Sequence, residues 1–169
     1  MYNTQKVYEY AKKWAFGRNP KYYNFDSVGG DCTNFVSQCI FAGCGQMNYN
    51  GDKGWYYING NNKSPSWTGV EFLYNFLLSN KGAGPKGEAV DIENLQIGDV
   101  IQLSFNGNTF AHSLIVVQNG TNVNNTLIAA HTYDAFGKSV SEYSFEKYRC
   151  IHIKTWKNMH NDMHVKKLI

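Results

Sequence analysis

The chain has 169 residues, of which 43% are hydrophobic, 15% aromatic and 17% charged, a balance that excludes a disordered or fibrous protein and suits one domain with a single substantial core. Its net charge of +3 is uneven: residues 147 to 169 carry six Lys/Arg against Asp162, leaving ten basic and twelve acidic residues before them. The body therefore lacks the basic footprint of a nucleic-acid binder, and no run is apolar enough to span a bilayer.

Val7, Ala11, Trp14 and Ala15 recur at helical spacing, which predicts an amphipathic helix over 4–16 closed by Gly17. Residues 18–28 read as a loop, with Asn19-Pro20 as a turn and Tyr22 and Tyr23 shortly before the next element. Gly29, Gly30 and Asp31 lead to Cys32, after which Phe35, Val36, Cys39 and Ile40 mark a buried helix stopped by Gly43 and Gly45. The Gly- and Asn-rich stretch 45–66 reads as a long loop, whose Trp55, Tyr56 and Tyr57 either wall a substrate groove or pack over the core. A second amphipathic helix runs through Trp67, Val70, Phe72, Leu73, Phe76 and Leu77, and KGAGPKG breaks it.

From Ile97 the pattern is that of strands, at 99–105, 109–118, 125–133 and 148–154, with Asn106-Gly107 as a tight-hairpin signal. Helices followed by an antiparallel meander make the expected class α+β. In the last strand Cys150 and His152 share a face. The four cysteines, at 32, 39, 44 and 150, form no CxxC pair and are expected to be free thiols.

A thiol in the first turn of a helix meets unpaired N–H groups and the positive end of the helix dipole, both of which favour thiolate. Two histidines stand where a cysteine nucleophile can use them. A symmetric hairpin closed between Gln118 and Asn125 pairs His112 directly with His131, so that one imidazole is the base and the other its orienting partner. Asp134, on the opposite face by the strand period, is the alternative third member. Cys32, His112 and His131 also form a conceivable zinc set, but no H-E-x-x-H or CxxC spacing supports it, and neither metal nor cofactor is expected. His152, His160 and His164 read as surface or tail residues.

GGDCTNFVSQC, SWTGVEFLYNFL, IGDVIQL, AHSLIVV and AAHTYD, in this order, resemble the bacterial Putative amidase domain family. That family is similar to the NlpC-type and CHAP-type cell-wall hydrolases, which are papain-like cysteine peptidases. The resemblance covers about residues 4 to 155, nearly the whole chain. It implies a papain-like domain over 1–155 with a central Cys-bearing helix on an antiparallel sheet, followed by a basic tail, 156–169, that docks or tethers. It further implies Cys32 as nucleophile, His112 as base and His131 as third polar residue. Tyr22 or Tyr23 matches the tyrosine that lines the oxyanion hole of the relatives, and Asp31, Trp55, Trp67 and Ser113 complete the candidate oxyanion and substrate-binding set.

The implied reaction is cysteine-dependent hydrolysis of a peptidoglycan amide, either muramoyl-L-alanine or a stem-peptide bond, through a thioester. An acyltransferase with the same Cys-His site and a non-catalytic wall-binding module are the alternatives. The expected protein is a monomer with peptidoglycan as partner and no nucleic acid. Without an apolar segment after Met1, action at the wall is expected to follow release or to belong to a larger exported or phage lysis protein.

Overall fold

The structure, a computed structural model, describes residues 1–155, so the expected basic tail with His160 and His164 lies outside the described residues. Helix α1 (Thr4–Trp14) begins on Asn3, whose side chain accepts from the Lys6 N–H. Helix α2 (Cys32–Cys44) is buried along most of its length and ends on Gly45 in the left-handed region. The two helices pack closely at Gly43, where a Cβ would stand 2.5 Å from Val7 Cγ2; any larger residue there would push α1 away.

The stretch 45–66 is more ordered than a loop. Asn48 and Trp55 exchange backbone hydrogen bonds, and β1 (Tyr57–Asn59) and β2 (Asn62–Lys63) form a small hairpin. Short α3 (Pro65–Thr68) and α4 (Val70–Ser79) follow. Trp55 and Trp67 are fully buried, and their indole N–H groups donate to Ser37 Oγ and Asn34 Oδ1. Both rings thus pin α2 to the 45–68 segment as core residues, and neither walls a groove.

Six strands form one antiparallel sheet: β3 (Pro85–Val90), β4 (Val100–Ser104), β5 (His112–Gln118), β6 (Leu127–Ala130), β7 (Ala135–Ser139) and β8 (Lys147–Thr155), in the order β3-β8-β4-β5-β6-β7. Fold class and the meander of β4, β5 and β6 follow the sequence reading, whereas β3 and β7 do not. Pro85, Lys86 and Gly87 of the supposed breaker KGAGPKG belong to β3, which β8 recruits as an edge strand. The Asn106-Gly107 signal produces a longer connection, because Asn106 Oδ1 accepts from the N–H groups of Asn108 and Thr109 and the ladder stops at Leu103–His112.

One core lies between the sheet and the helices and includes Phe35, Val36, Ile40, Trp67, Val100, Ile115 and Ile151. The other covers the opposite sheet face with Ile101, Leu103, Leu114, Val116, Ile128 and Val140. All four cysteines are free.

Candidate active site

Gly29 and Gly30, with φ of 84° and 97°, turn the chain into α2 in a conformation that side chains resist. Asp31 occupies the N-cap position but does not cap the helix with its carboxylate. That group turns inward instead, where Oδ1 accepts from the Phe25 N–H and from Asn34 Nδ2. The first-turn N–H groups of α2 are thereby left for the next residue to use. Cys32 is 8% exposed, so burial pushes its thiol up, while the Ser113 N–H, the Thr33 hydroxyl and the Thr33 N–H favour the thiolate and oppose that rise.

Ser113 brings His112 with it, as the first residue of β5. His112 is buried and its Nε2 has no hydrogen-bond partner. Burial, with a smaller push from Lys138, pulls its pKa down to about 4, so the ring is neutral near pH 7 and its free nitrogen is available to take a proton. The Tyr143 ring lies 5.6 Å from the imidazole, and its hydroxyl is likewise buried and unpartnered. Burial pushes that phenol up to about 12, with the Glu142 and Cys32 charges adding, and Lys138 Nζ sits 4.0 Å over its ring. Two unsatisfied polar atoms thus flank the cysteine end of the sheet, where each costs stability unless something binds there. No hydrogen bond joins Cys32 to His112 among the described residues; such bonds are often long before substrate tightens them.

The hairpin places His131 elsewhere. Ile115 pairs with Ala129 and Val116 with Ile128, an offset of one residue from the symmetric closure, so the extrapolated register sets His112 opposite Thr132. An irregularity between Val116 and Gln118, together with a turn in which Asn125 Oδ1 caps the N–H groups of Thr121 and Asn122, absorbs the extra residue. His131 therefore faces the helix layer and stacks on Phe35, with centroids 3.9 Å apart. Its Nδ1 meets the Asp31 carboxylate, and its Nε2 meets the Trp14 carbonyl oxygen at 2.8 Å. With both nitrogens engaged by these partners, neither is turned toward the thiol. Asp134 is also engaged: both its oxygens accept from Arg18, which bridges it to Asp26.

Of the other expected residues, Asp31 and Ser113 stand beside Cys32, as described. Tyr22 packs on Tyr57 and Trp67, while Tyr23 is half exposed and edges onto Phe25. His152 is not a plain surface residue: its Nδ1 meets buried Asp99 at 2.8 Å, and that bond raises its pKa. Tyr143 carried no sequence signal, since it sits between strands at the end of a 3-10 turn, Val140–Glu142. Thr132 and Tyr133, at φ of 60° and 59°, put two left-handed non-glycine residues next to Gly30, a conformation that costs of order 1–3 kcal/mol each. Among the described residues no group of three or more His, Cys, Asp or Glu is placed to hold a metal ion.

The family model for the Putative amidase domain matches residues 1–156. The uncharacterized protein YhbB of Bacillus subtilis (strain 168) is 38% identical over 138 residues, covering 79% of this chain and 42% of that relative, so the chain spans less than half of the relative's length. No solved structure matches.

Proposed function

Because the chain belongs to the Putative amidase domain family, we propose that it hydrolyses an amide bond with Cys32 as nucleophile and His112 as base. Amide hydrolysis is the activity the family name carries, and the cysteine mechanism is what the site adds. The observation that supports it most is the pairing of a helix-start thiol, solvated by the Ser113 N–H, with the neutral and unpartnered Nε2 of the adjacent residue His112. A helix bearing the cysteine, packed on an antiparallel sheet with the base on the next strands, also fits a papain-like arrangement.

In this reading His112 takes the Cys32 proton and the sulfur attacks the amide carbonyl carbon. The developing oxyanion accepts from the N–H groups left open at the start of α2 and from the Tyr143 hydroxyl, which its raised pKa keeps protonated. The C–N bond breaks as His112 returns the proton to the amine. Water, deprotonated by the same ring, then cleaves the thioester and restores the thiol. His131 holds Asp31 and the helix start, and acts on the chemistry only through that placement.

The proposed substrate is a peptidoglycan amide, from the sequence resemblance to cell-wall hydrolases. Digestion of purified peptidoglycan by the wild type and by Cys32→Ala, under reducing conditions with chelator, tests it by mass spectrometry of new termini. Free L-alanine amines on stem peptides are expected for a muramoyl amidase, and termini within the stem for an endopeptidase. Equal products from both proteins would remove Cys32 from the reaction. Products from neither would overturn the wall substrate, in favour of acyl transfer or of binding alone.

A further inference from the structure

A row of polar side chains crosses the helix-facing side of the sheet directly beside an apolar row. Register places Gln102 of β4 between Arg149 of β8 and Ser113 of β5, while the next row on that face is Ile151, Val100 and Ile115. Gln102 and Ser113 are fully buried, so this row is costly unless every group is satisfied. Each is.

Arg149 donates from Nε and Nη2 to Gln102 Oε1 at 2.9 and 2.7 Å. Gln102 Nε2 donates to the Val70 carbonyl and, at 3.1 Å, to Ser113 Oγ. Ser113 Oγ lies 3.0 Å from Thr33 Oγ1, which lies 3.7 Å from Cys32 Sγ. The direction of every bond follows from its first member. A guanidinium only donates, so the amide must turn its oxygen to Arg149 and its NH₂ to Ser113. Ser113 then accepts from Gln102 and has its one proton left for Thr33, and Thr33 in turn has its one proton left for the sulfur.

We propose that Arg149, Gln102, Ser113 and Thr33 form a one-way donor chain that presents a fixed O–H to the Cys32 sulfur and stabilises its thiolate form against burial. These are positioning residues, acting through Thr33, and the proposal rests on Cys32 being the nucleophile of the reading above. Arg149 is clamped as the origin of the chain: the Tyr74 and Phe110 rings sandwich its guanidinium, with centroids 3.5 and 4.0 Å away, and Glu71 pairs with its outer edge. The other charged or titratable groups around the thiol are Asp31 on its own turn, His112 from β5, and Tyr143 with Lys138 and Glu142 from the β7–β8 side. The Asp31 charge raises the thiol, so the chain works against a neighbour as well as against burial.

The test needs no substrate: the rate of Cys32 alkylation by iodoacetamide is followed against pH in the full chain, with peptide mass spectrometry separating it from the other three thiols. Ser113→Ala and Thr33→Val are expected to move the alkylation midpoint upward and slow the neutral-pH rate by about tenfold, the equivalent of one pKa unit. Thr33→Ser, which keeps the hydroxyl, is expected to hold the wild-type profile. Wild-type profiles in Thr33→Val and Ser113→Ala would overturn the proposal, and so would equal shifts in Thr33→Val and Thr33→Ser. Should Ser113→Ala fail to fold, the near-isosteric Thr33 pair carries the decision. A shifted profile in a protein that leaves peptidoglycan intact would retain the chain and discard the wall substrate.

Discussion

His112 and His131 both flank the start of α2, and their hydrogen bonding is opposite. His131 is buried with both nitrogens occupied, by Asp31 and by the Trp14 carbonyl, and with its ring against Phe35. His112 is buried to a similar degree with Nε2 bonded to nothing. A folded chain tolerates an orphaned buried nitrogen only at a net cost, whereas a fully bonded histidine repays its burial. Satisfaction of the ring, rather than its nearness to the cysteine, separates the histidine that holds the fold from the one free to move a proton.

The sharpest way to break that contrast is His112→Gln. Hydrolysis is expected to fall by about 10² to 10⁴-fold, the usual worth of a general base, with the unfolding temperature at neutral pH nearly unchanged. Retained activity would show that the orphaned nitrogen has no part in the reaction.

His131→Leu is expected to do the reverse. It removes one partner of the buried Asp31 carboxylate and leaves Phe25, Asn34 and Arg18, at a cost of about 1–3 kcal/mol visible as a lower denaturant midpoint. Undiminished stability together with lost turnover would move His131 into the chemistry.

The pH dependence sharpens the same point. Because the folded pKa of His112 is depressed to about 4 from an ordinary 6.5, the unfolded chain binds more protons between those values, and stability is lost as pH falls through that window. Between pH 7 and pH 5 the loss is about 2 kcal/mol, and thermal melts of His112→Gln should lack it.

The smallest effect is at His152, whose pKa Asp99 raises, so that its contribution is present at low pH and fades as pH rises through the raised value. His152→Asn should flatten that alkaline-side decline by less than about 1 kcal/mol, since the pair is part-exposed. A larger change would mean that the Asp99 end of the sheet carries more of the stability than its exposure suggests.

Sequence periodicity located the Cys32 helix and the β4–β6 meander, because a thiol preceded by two glycines and runs such as DVIQLSF are local signals. It misplaced His131 relative to His112. Register depends on one irregularity near Gln118, and a single residue of slip puts His112 and His131 on opposite faces. Tyr143 was silent for another reason: it reaches the site from a turn whose path is set by the sheet, not by neighbouring residues. Gln102 did leave a trace, as the lone amide inside an apolar strand, and its meaning appears only once β8 and β5 lie on either side of it. Trp55 was legible only as groove wall or core packing, and the choice between them is made by the 45–68 segment folding onto α2, where Trp55 and Trp67 are both buried.

The Asp31–His131 contact spans 100 positions of the chain, and the Thr33–Ser113 contact spans 80. Loops of that length close late, since their entropy is lost before their contacts form. Cys32, near the N-terminus, is therefore made early and acquires its native surroundings late: a growing or refolding chain carries an ordinary cysteine until β5 and β6 are in place. Pulses of alkylating agent during refolding should find Cys32 reacting as an ordinary exposed thiol at first, and with the pH profile set by Ser113 and Thr33 only in the final phase. Synthesis order and long-range closure together give this protein a built-in delay, in which the polar surroundings of Cys32 are complete only after the scaffold that contains them.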